Sequence, residues 1–502
     1  MSNIEDDFED FVEVHEANGA KAQPMVSRRS MIKAALGGVA GAAAVAPHAR
    51  AAPKGDDPAR LERPEDVAGT ERIRNYIRRC REEALAELKP STKQVERALD
   101  LHRQATVCDP MGGHSVQQGT KLWGLFSERM ENYIRREMAK HADPDWPTVR
   151  PIVLQAARGR PAELARDPRM QKDLKALMQA SGVTVGVTST DPWRLEEIAF
   201  RTFVFDAVDH IEKVTSFEGV EELKRTGAFG AICHNHGMPV VEGLEGKEAL
   251  ETLYLLGIRW SLLTHGEGNQ YGGGQRSDPS KGLTDLGREM VKRMNQLGIV
   301  VDTSHTSPQT ALDMANTSEE PIVTSHTACR AVDHGYCAWR NMTDEGLKAI
   351  ADTGGVVAIC THPSIVGGYS IEAGMKHIRH AVKLLGAAHL AVSSDRALFL
   401  QDLPPEVIDK AKPDNLVPYS RAGKYPGFWR WRQFQEAWKI CAQASSLQPC
   451  AWPYNVTLPL VMEGYSDENI RKIIGENVVR VAGGVMRRNP TGEEFSVTAS
   501  VG

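Results

Sequence analysis

The sequence of 502 residues lacks several features that would place it in other functional classes. None of its eight cysteines forms a CxxC pair, which excludes a zinc finger and a thioredoxin-type redox site. The formal net charge is −5, and this balance gives no indication of nucleic-acid binding. After the N-terminal region, no apolar run approaches the roughly twenty residues of a membrane-spanning helix. What remains, with 41% hydrophobic residues, is the composition of a globular protein with a sizeable core.

The first 51 residues predict an export signal. An acidic stretch over residues 1–26 precedes Ser27-Arg28-Arg29, an Ala- and Gly-rich apolar run over residues 34–46, and Ala49-Arg50-Ala51. This order of basic segment, short apolar segment and A-x-A site resembles a twin-arginine signal, which exports folded proteins in bacteria. We therefore expect the twin-arginine export machinery to be a partner and the mature chain to work in the periplasm. Cys441 and Cys450 could pair in that oxidising compartment.

The rest of the chain alternates short apolar runs with helical stretches. Eight strand-like runs separated by helical material are typical of a (β/α)8 TIM-type barrel, so the predicted fold class is α/β. The eight runs lie at residues 105–109, 183–188, 229–234, 258–265, 299–305, 321–326, 354–360 and 389–395.

The same pattern predicts how the chain is divided. The signal region (1–51) is followed by an N-terminal helical preamble on the surface (52–104), the barrel (105–488) and a tail (489–502). Two insertions are expected within the barrel, a largely helical one at about 115–180 and a Pro- and Trp-rich one at about 396–455. A single helix over residues 467–487 should close the chain.

Two successive runs end in the dipeptide Ser-His. His305 ends one run and His326 ends the next, with room for one crossover helix over residues 307–316 between them. Parallel strands one crossover apart lie side by side or nearly so, which brings the two imidazoles together at the C-terminal end of the sheet. The pair is interpreted as half of a metal site.

Ionisable side chains end most of the other runs as well. Barrel enzymes build their sites at the C-terminal ends of the strands, so these side chains are expected to meet. A mixture of imidazoles and carboxylates suits zinc or a similar divalent cation, and we expect one or two such ions per chain. The residues at these run ends, besides His305 and His326, are Asp109, His234, His236, His265 and Asp395.

Several segments resemble the renal (membrane) dipeptidase family of metallopeptidases. The sequence ETLYLLGIRWSLLTH at residues 251–265 is similar to that family's "LYxLGxRxxxLTH" segment. GLTDLGR at 282–288, NQLGIVVDTSH at 295–305, PIVTSH at 321–326 and Arg340-Asn341 continue the likeness. GENVVR at 475–480 resembles its C-terminal "GxNxxR" helix. The resemblance runs from about Leu101 to Gly484 and implies a metal-dependent dipeptidase with a peptide-like substrate, assembled as a homodimer.

The resemblance also implies a role for particular residues. His305 and His326 match two ligands of one metal, and His265 matches the histidine that contacts the substrate and steadies the oxyanion. Arg340 matches the arginine that receives the substrate's free carboxylate through its planar fork of donors. Asp395 matches the carboxylate that shuttles a proton to the leaving amine.

Three places depart from the family pattern. The family's first strand ends in a His-x-Asp metal pair, whereas this chain has Asp109, the expected ligand, followed only later by His114. Alternatively, a small insertion places His114 on the ligand position, with Val116 where the carboxylate should be. Glu242 matches the bridging metal-binding glutamate, unless His234 or His236 takes its place. The family's second aspartate after the catalytic one is missing, since Asp395 is followed by Arg396-Ala397.

Taken together, these patterns favour a periplasmic metal-dependent hydrolase that cleaves the amide bond of a short peptide or acyl-amino acid. One alternative is a dipeptidase-like protein recruited to mature a peptide-derived metabolite or siderophore, with weak or no peptidase activity. The altered first strand and the insertion at 396–455 motivate that alternative. A non-catalytic binding scaffold is a third reading, and the joint presence of His265, Arg340 and Asp395 counts against it.

Overall fold

The computed structural model describes ten stretches of the chain: residues 69–112, 127–141, 151–152, 155–156, 160–190, 195–237, 244–332, 340–368, 370–396 and 447–486. The predicted export signal, His114, Glu242, Cys441 and nearly all of the insertion at 396–455 lie outside these stretches, as does the tail. Within them, no helix combines the length and the apolar character that a membrane crossing requires.

Eight of the strands coincide with the eight predicted runs: β1, β2, β4, β5, β8, β9, β10 and β11. The complete set in the described part of the chain is β1 (Cys108–Asp109), β2 (Val185–Thr190), β3 (Ile211–Lys213), β4 (Phe229–Asn235), β5 (Ile258–Ser261), β6 (Gly268–Asn269), β7 (Gly272–Gly273), β8 (Val300–Val301), β9 (Val323–Thr327), β10 (Val356–Cys360) and β11 (Leu390–Ser393).

Nearly all of these strands pair in parallel, in chain order. One sheet runs β1-β2-β4-β5-β8 with β3 beside β4, and a second runs β9-β10-β11. An isolated parallel bridge joins Asp302 to Val323 between the two sheets, and another joins Gly112 to Arg396. Among the strand pairs of the described residues, only the small hairpin β6–β7 is antiparallel. The predicted α/β class is confirmed, with a curled parallel sheet as its centre.

Helices fill the connections between the strands. The long connection from β1 to β2 is largely helical where it is described. The helices are α1 (Glu71–Leu88), α2 (Thr92–Gln104), α3 (Glu128–Met138), α4 (Arg160–Arg166), α5 (Pro168–Ser181), α6 (Leu195–Ala207), α7 (Val220–Thr226), α8 (Gly246–Leu255), α9 (Asp285–Leu297), α10 (Pro308–Thr317), α11 (Asp344–Asp352), α12 (Pro363–Val366), α13 (Ile371–Leu385), α14 (Leu458–Met462), α15 (Asp467–Arg471) and α16 (Asn477–Val485).

The crossover helix α10 begins where local chemistry requires it. Ser307 is the N-cap, and its Oγ accepts a hydrogen bond from the backbone N of Thr310 at 3.0 Å. Pro308 occupies the first turn, where its missing N–H costs no hydrogen bond. Because the start of α10 is fixed directly after His305, the preceding turn is held in one conformation.

Most strand residues are buried because both faces of the sheet are covered. Every residue of β4 and of β10 is buried, as expected for parallel strands with helices on one face and core on the other. The N-terminal helices share this core, since Ile73, Ile77 and Cys80 of α1 are buried in its main cluster. The predicted surface preamble is therefore part of the packed fold.

The C-terminal segment differs from the single helix predicted over residues 467–487. It consists of α15, a π-helical turn over Lys472–Glu476 and α16. The break lies at Gly475, where a Cβ atom would stand 2.2 Å from the backbone oxygen of Thr106 and 2.4 Å from the backbone nitrogen of Cys108. Only glycine permits this close approach to β1, and the helix deforms to make it.

Candidate metal centre

His305 and His326 meet, as the order of strands predicts. Their Nε2 atoms lie 2.8 Å apart. The second ring nitrogen of each is held in place: Nδ1 of His305 lies 2.8 Å from Oε1 of Gln275, and Nδ1 of His326 lies 2.7 Å from Oγ of Ser325. Partners of this kind fix ring orientation and aim the opposite nitrogen, the usual arrangement around metal-binding histidines.

The two histidines enter the site differently. His326 lies within β9, which continues to Thr327, whereas β8 ends at Val301 and His305 sits in the turn beyond it. His305 has a φ of 63°, in the left-handed region that residues other than glycine rarely adopt. Strain of this kind persists where the surroundings enforce it, which is common at functional sites.

A third imidazole, His236, completes the cluster. It follows β4, and its ring centroid lies 5.0 Å from that of His305 and 5.5 Å from that of His326. The possible ligand atoms of these three residues all lie within 4.8 Å of one another, and this is the only such group of three among the described residues. His236 was an alternative in the sequence to Glu242, whose position the structure does not describe.

A buried carboxylate, Asp302, organises the segments that carry the cluster. Its Oδ1 accepts hydrogen bonds from the backbone N of Ser304 at 2.9 Å and of Ser325 at 3.1 Å. These are the residues that directly precede His305 and His326. One carboxylate therefore sets the spacing of the two histidine-bearing segments.

Asp302 also anchors the neighbouring strands. Its Oδ2 accepts a hydrogen bond from Nε1 of Trp260 at 2.9 Å and lies 3.5 Å from Nε2 of His234. Burial raises the pKa of Asp302, but hydrogen bonding and charge from His234 and the positive influence of His326 outweigh it and hold the pKa below its usual range. Asp302 is thus an anion enclosed in the fold.

His265 and Arg340 lie against the same cluster. The rings of His265 and His305 are stacked, with centroids 4.1 Å apart and planes inclined by 25°. Nη2 of Arg340 donates to the backbone oxygen of His326 at 2.9 Å and lies 3.3 Å from Nε2 of His305. Two candidate substrate-binding residues therefore contact the proposed metal-binding pair directly.

Two of the predicted carboxylates, Asp395 after β11 and Asp109 of β1, lie on neighbouring segments. Asp395 has a φ of 47°, and its backbone N donates to the oxygen of Met111 at 2.7 Å. Its negative charge raises the pKa of His326, whereas burial of that ring, the largest effect, lowers it. Asp109 instead accepts a hydrogen bond from the backbone N of Ser394 at 3.1 Å and another from its hydroxyl. Asp109 thus ties β1 to β11 and is not part of the three-histidine group.

The environment keeps the imidazoles neutral, the form that binds a metal. Burial, followed by the positive charge of Arg340, lowers the pKa of His305 well below its ordinary value. Burial lowers the pKa of His326 to about 3. His362, after β10, has its pKa lowered to about 4 by burial and then by the charge of Arg396.

Comparison with known proteins relates part of the chain to one family. The sequence model of the membrane dipeptidase family (peptidase family M19) matches residues 193–401. This part of the chain is similar to the membrane dipeptidase family. The matched region of this chain contains the whole histidine cluster, Arg340 and Asp395, whereas Asp109 precedes it.

Individual curated dipeptidases are similar to part of the chain. Dipeptidase tcpJ of Claviceps purpurea is 25% identical over 54% of this chain and 55% of its own length. Dipeptidase verJ of Clonostachys rogersoniana is 26% identical over 55% of this chain and 61% of its own length. The chain spans between half and two thirds of the length of these curated relatives.

A solved structure shares the fold. The probable dipeptidase PvdM from Pseudomonas aeruginosa has a TM-score of 0.52 and 17% sequence identity, over 80% of this chain and all of that chain. At this identity the likeness concerns the arrangement of strands and helices. The roles of individual residues must be argued from the site itself.

Proposed function

We propose that this protein is a metal-dependent hydrolase that cleaves the amide bond of a short peptide or acyl-amino acid. The observation that carries the proposal is the convergence of His236, His305 and His326 with Arg340 in hydrogen-bonding range of the same cluster. A cation site beside an arginine offers what a dipeptidase needs, a centre that activates water and a receptor for the substrate's carboxylate.

The residues present fit a divalent cation such as zinc. Zinc–nitrogen bonds of about 2.1 Å place two ligands of one ion at most about 4.2 Å apart, so nitrogens within 4.8 Å need only a small approach. His236, His305 and His326 would hold the ion, and Gln275 and Ser325 would orient the last two rings. When bound, the ion supplies Lewis-acid stabilisation of negative charge and lowers the pKa of water at the site.

The surrounding side chains have distinct tasks in this proposal. Arg340 binds the substrate's terminal carboxylate through its guanidinium fork and so places the amide bond over the cluster. His265 donates a hydrogen bond to the oxygen that becomes negative during attack. Asp395 accepts a proton from the attacking water and delivers it to the leaving amine.

The architecture that we propose around this site is a closed (β/α)8 barrel. The bridges Asp302–Val323 and Gly112–Arg396 support it, because they connect the two parallel sheets at both of their free edges. In such a barrel, the cluster lies at the C-terminal ends of the strands. The twin-arginine pattern supports a periplasmic location, with the export machinery as a partner, and we further propose a homodimer.

The test is metal content together with hydrolysis. We expect protein purified after export to hold at least one divalent ion and to hydrolyse simple dipeptides, and to lose both properties in His305→Ala and His326→Ala. His380→Ala provides the matched control, since His380 pairs with Asp344 on α11, away from the cluster. Wild-type protein that binds no metal after export would contradict the proposal.

The second candidate is maturation of a peptide-derived metabolite or siderophore without general peptidase activity. It is supported by Asp109, the carboxylate expected for a second metal, which accepts hydrogen bonds from the backbone N and the hydroxyl of Ser394. One bound ion and no turnover of simple dipeptides would favour this candidate.

A further inference from the structure

Arg396 is a buried arginine that follows β11, and it has no role in the proposed chemistry. Its side chain is only 4% exposed. Both terminal nitrogens, Nη1 and Nη2, are buried and have no hydrogen-bond partner among the described residues. Arginines enclosed for structural reasons normally fork onto a carboxylate, as Arg293 does onto Glu251 at 2.7 Å.

The backbone holds Arg396 firmly at the site. It pairs with Gly112 through a parallel bridge, and its N–H donates to Oγ of Ser394 at 3.3 Å. It directly follows Asp395, the proposed proton carrier. An arginine fixed in this way, with terminal N–H groups that find no partner in the described part of the chain, presents donors directly beside that carboxylate.

Arg396 and Arg340 act on one common neighbour. His362 experiences the charges of Arg396, Asp395 and Arg340. Both guanidinium groups are therefore close enough to the same imidazole for their charges to act on it. A buried cation without an anion is costly, and a second negative group on the ligand removes that cost.

We propose that Arg396 is a specificity-determining residue that binds a second carboxylate of the substrate, while Arg340 binds the first. The substrate class is a dipeptide or acyl-amino acid whose C-terminal residue is acidic, glutamate or aspartate. Its α-carboxylate and its side-chain carboxylate belong to one residue, so a single ligand offers an anion to each arginine. This assignment rests on the proposed hydrolase function for its catalytic consequence, but the binding itself does not.

The catalytic test compares two substrates of equal size, Ala-Glu and Ala-Gln, with metal-loaded full-length protein. Wild type should show a kcat/KM at least tenfold higher for Ala-Glu. Arg396→Met keeps the length of the side chain and removes the charge, and it should abolish the preference while hydrolysis of Ala-Gln continues. Equal kcat/KM values for the two peptides in wild type would overturn the assignment.

The binding test needs no turnover. Glutarate should raise the unfolding temperature of metal-loaded wild type more than butyrate does, and Arg396→Met should erase this difference. If no peptide is hydrolysed but the glutarate effect is present, the proposed hydrolase activity fails while the anion site stands. If peptides are hydrolysed without any glutarate effect, the anion site fails alone.

A stability measurement separates a binding arginine from a structural one. Without ligand, Arg396→Met should unfold at a temperature equal to or above that of wild type, because it removes a buried cation whose terminal nitrogens have no hydrogen-bond partner among the described residues. Arg293→Met is the matched control and should unfold at a lower temperature, since it removes the ion pair with buried Glu251. A clear drop in the unfolding temperature of Arg396→Met would assign Arg396 a structural role.

Discussion

At the scale of single residues, the site depends on which side chain at the end of each strand faces the histidine cluster. His234 and His236 are separated by one residue at the end of β4, and they serve different purposes. His234 is buried beside Asp302, whereas His236 is half-buried and faces His305 and His326. One imidazole belongs to the support of the centre and the other to the centre itself.

This difference predicts that the loss of His236 weakens metal binding directly. His236→Ala should lower the affinity for zinc by at least tenfold, because it removes one of three ligands, and leave the folded structure intact. The measurement is competition with a chromogenic chelator. His380→Ala again serves as the surface control. If His236→Ala binds zinc as wild type does, Glu242 is the better candidate for the third ligand.

Sequence reasoning reached part of this centre. The Ser-His endings of two neighbouring runs predicted that His305 and His326 meet, and the rings do meet. The choice between His234, His236 and Glu242 stayed open because it depends on where the chain leaves β4. Asp302 and Gln275 were missed. A carboxylate inside an apolar run was the available signal for Asp302, whereas Gln275 comes from a loop with no pattern of its own.

At the scale of elements, the "GxNxxR" segment acts as a clamp at the end of the sheet opposite the metal centre. Nδ2 of Asn477 donates to the backbone oxygens of Ala387 and Leu390, at 2.7 and 2.8 Å. Arg480 donates to the backbone oxygens of Gly354 and Ala388, each at 3.0 Å. The motif therefore holds the starts of β10 and β11, and its role is structural. The sequence revealed the motif but could not reveal these partners, which are backbone atoms.

Removal of the clamp should reduce stability and leave the chemistry unchanged. Asn477→Ala leaves two carbonyl groups without their donor, which should lower the free energy of unfolding by about 1–3 kcal/mol. Urea unfolding measures this loss, and Asn469→Ala, on neighbouring α15, is the control. A variant of normal stability with a reduced kcat would contradict a purely structural role.

At the scale of the whole molecule, the N-terminal helices, the insertion before β2 and the C-terminal segment form one core with the sheet. The sequence predicted the strands well, because runs buried on both faces are apolar throughout. It misjudged α1 and α2 as a surface preamble, because a charged outer face dominates their composition. Their buried faces become apparent only with the partners in place, among them Leu174 of α5 and Trp452.

His102 of α2 connects these parts, and it makes stability depend on pH. Its Nε2 donates to the backbone oxygen of Ser181 at 3.0 Å, and Nδ1 accepts from Oγ1 of Thr457 at 2.7 Å. Burial lowers its pKa to about 4 from an ordinary value of about 6.5. The neutral ring of His102 therefore makes its full contribution to the free energy of unfolding above pH 6.5. As the pH falls from 6.5 to 4, the unfolded chain takes up a proton that the folded chain does not, and stability decreases.

Between pH 6.5 and pH 4, His102 should lower the free energy of unfolding by an amount on the order of 3 kcal/mol, since each pKa unit corresponds to about 1.4 kcal/mol. Urea unfolding at pH 7.5 and at pH 4.5 measures it. His102→Gln should be less stable than wild type at pH 7.5, yet lose less on acidification, because glutamine does not titrate. His380→Gln, on the surface, should retain the wild-type dependence. Parallel pH profiles for wild type and His102→Gln would show that His102 is not the source of the acid sensitivity.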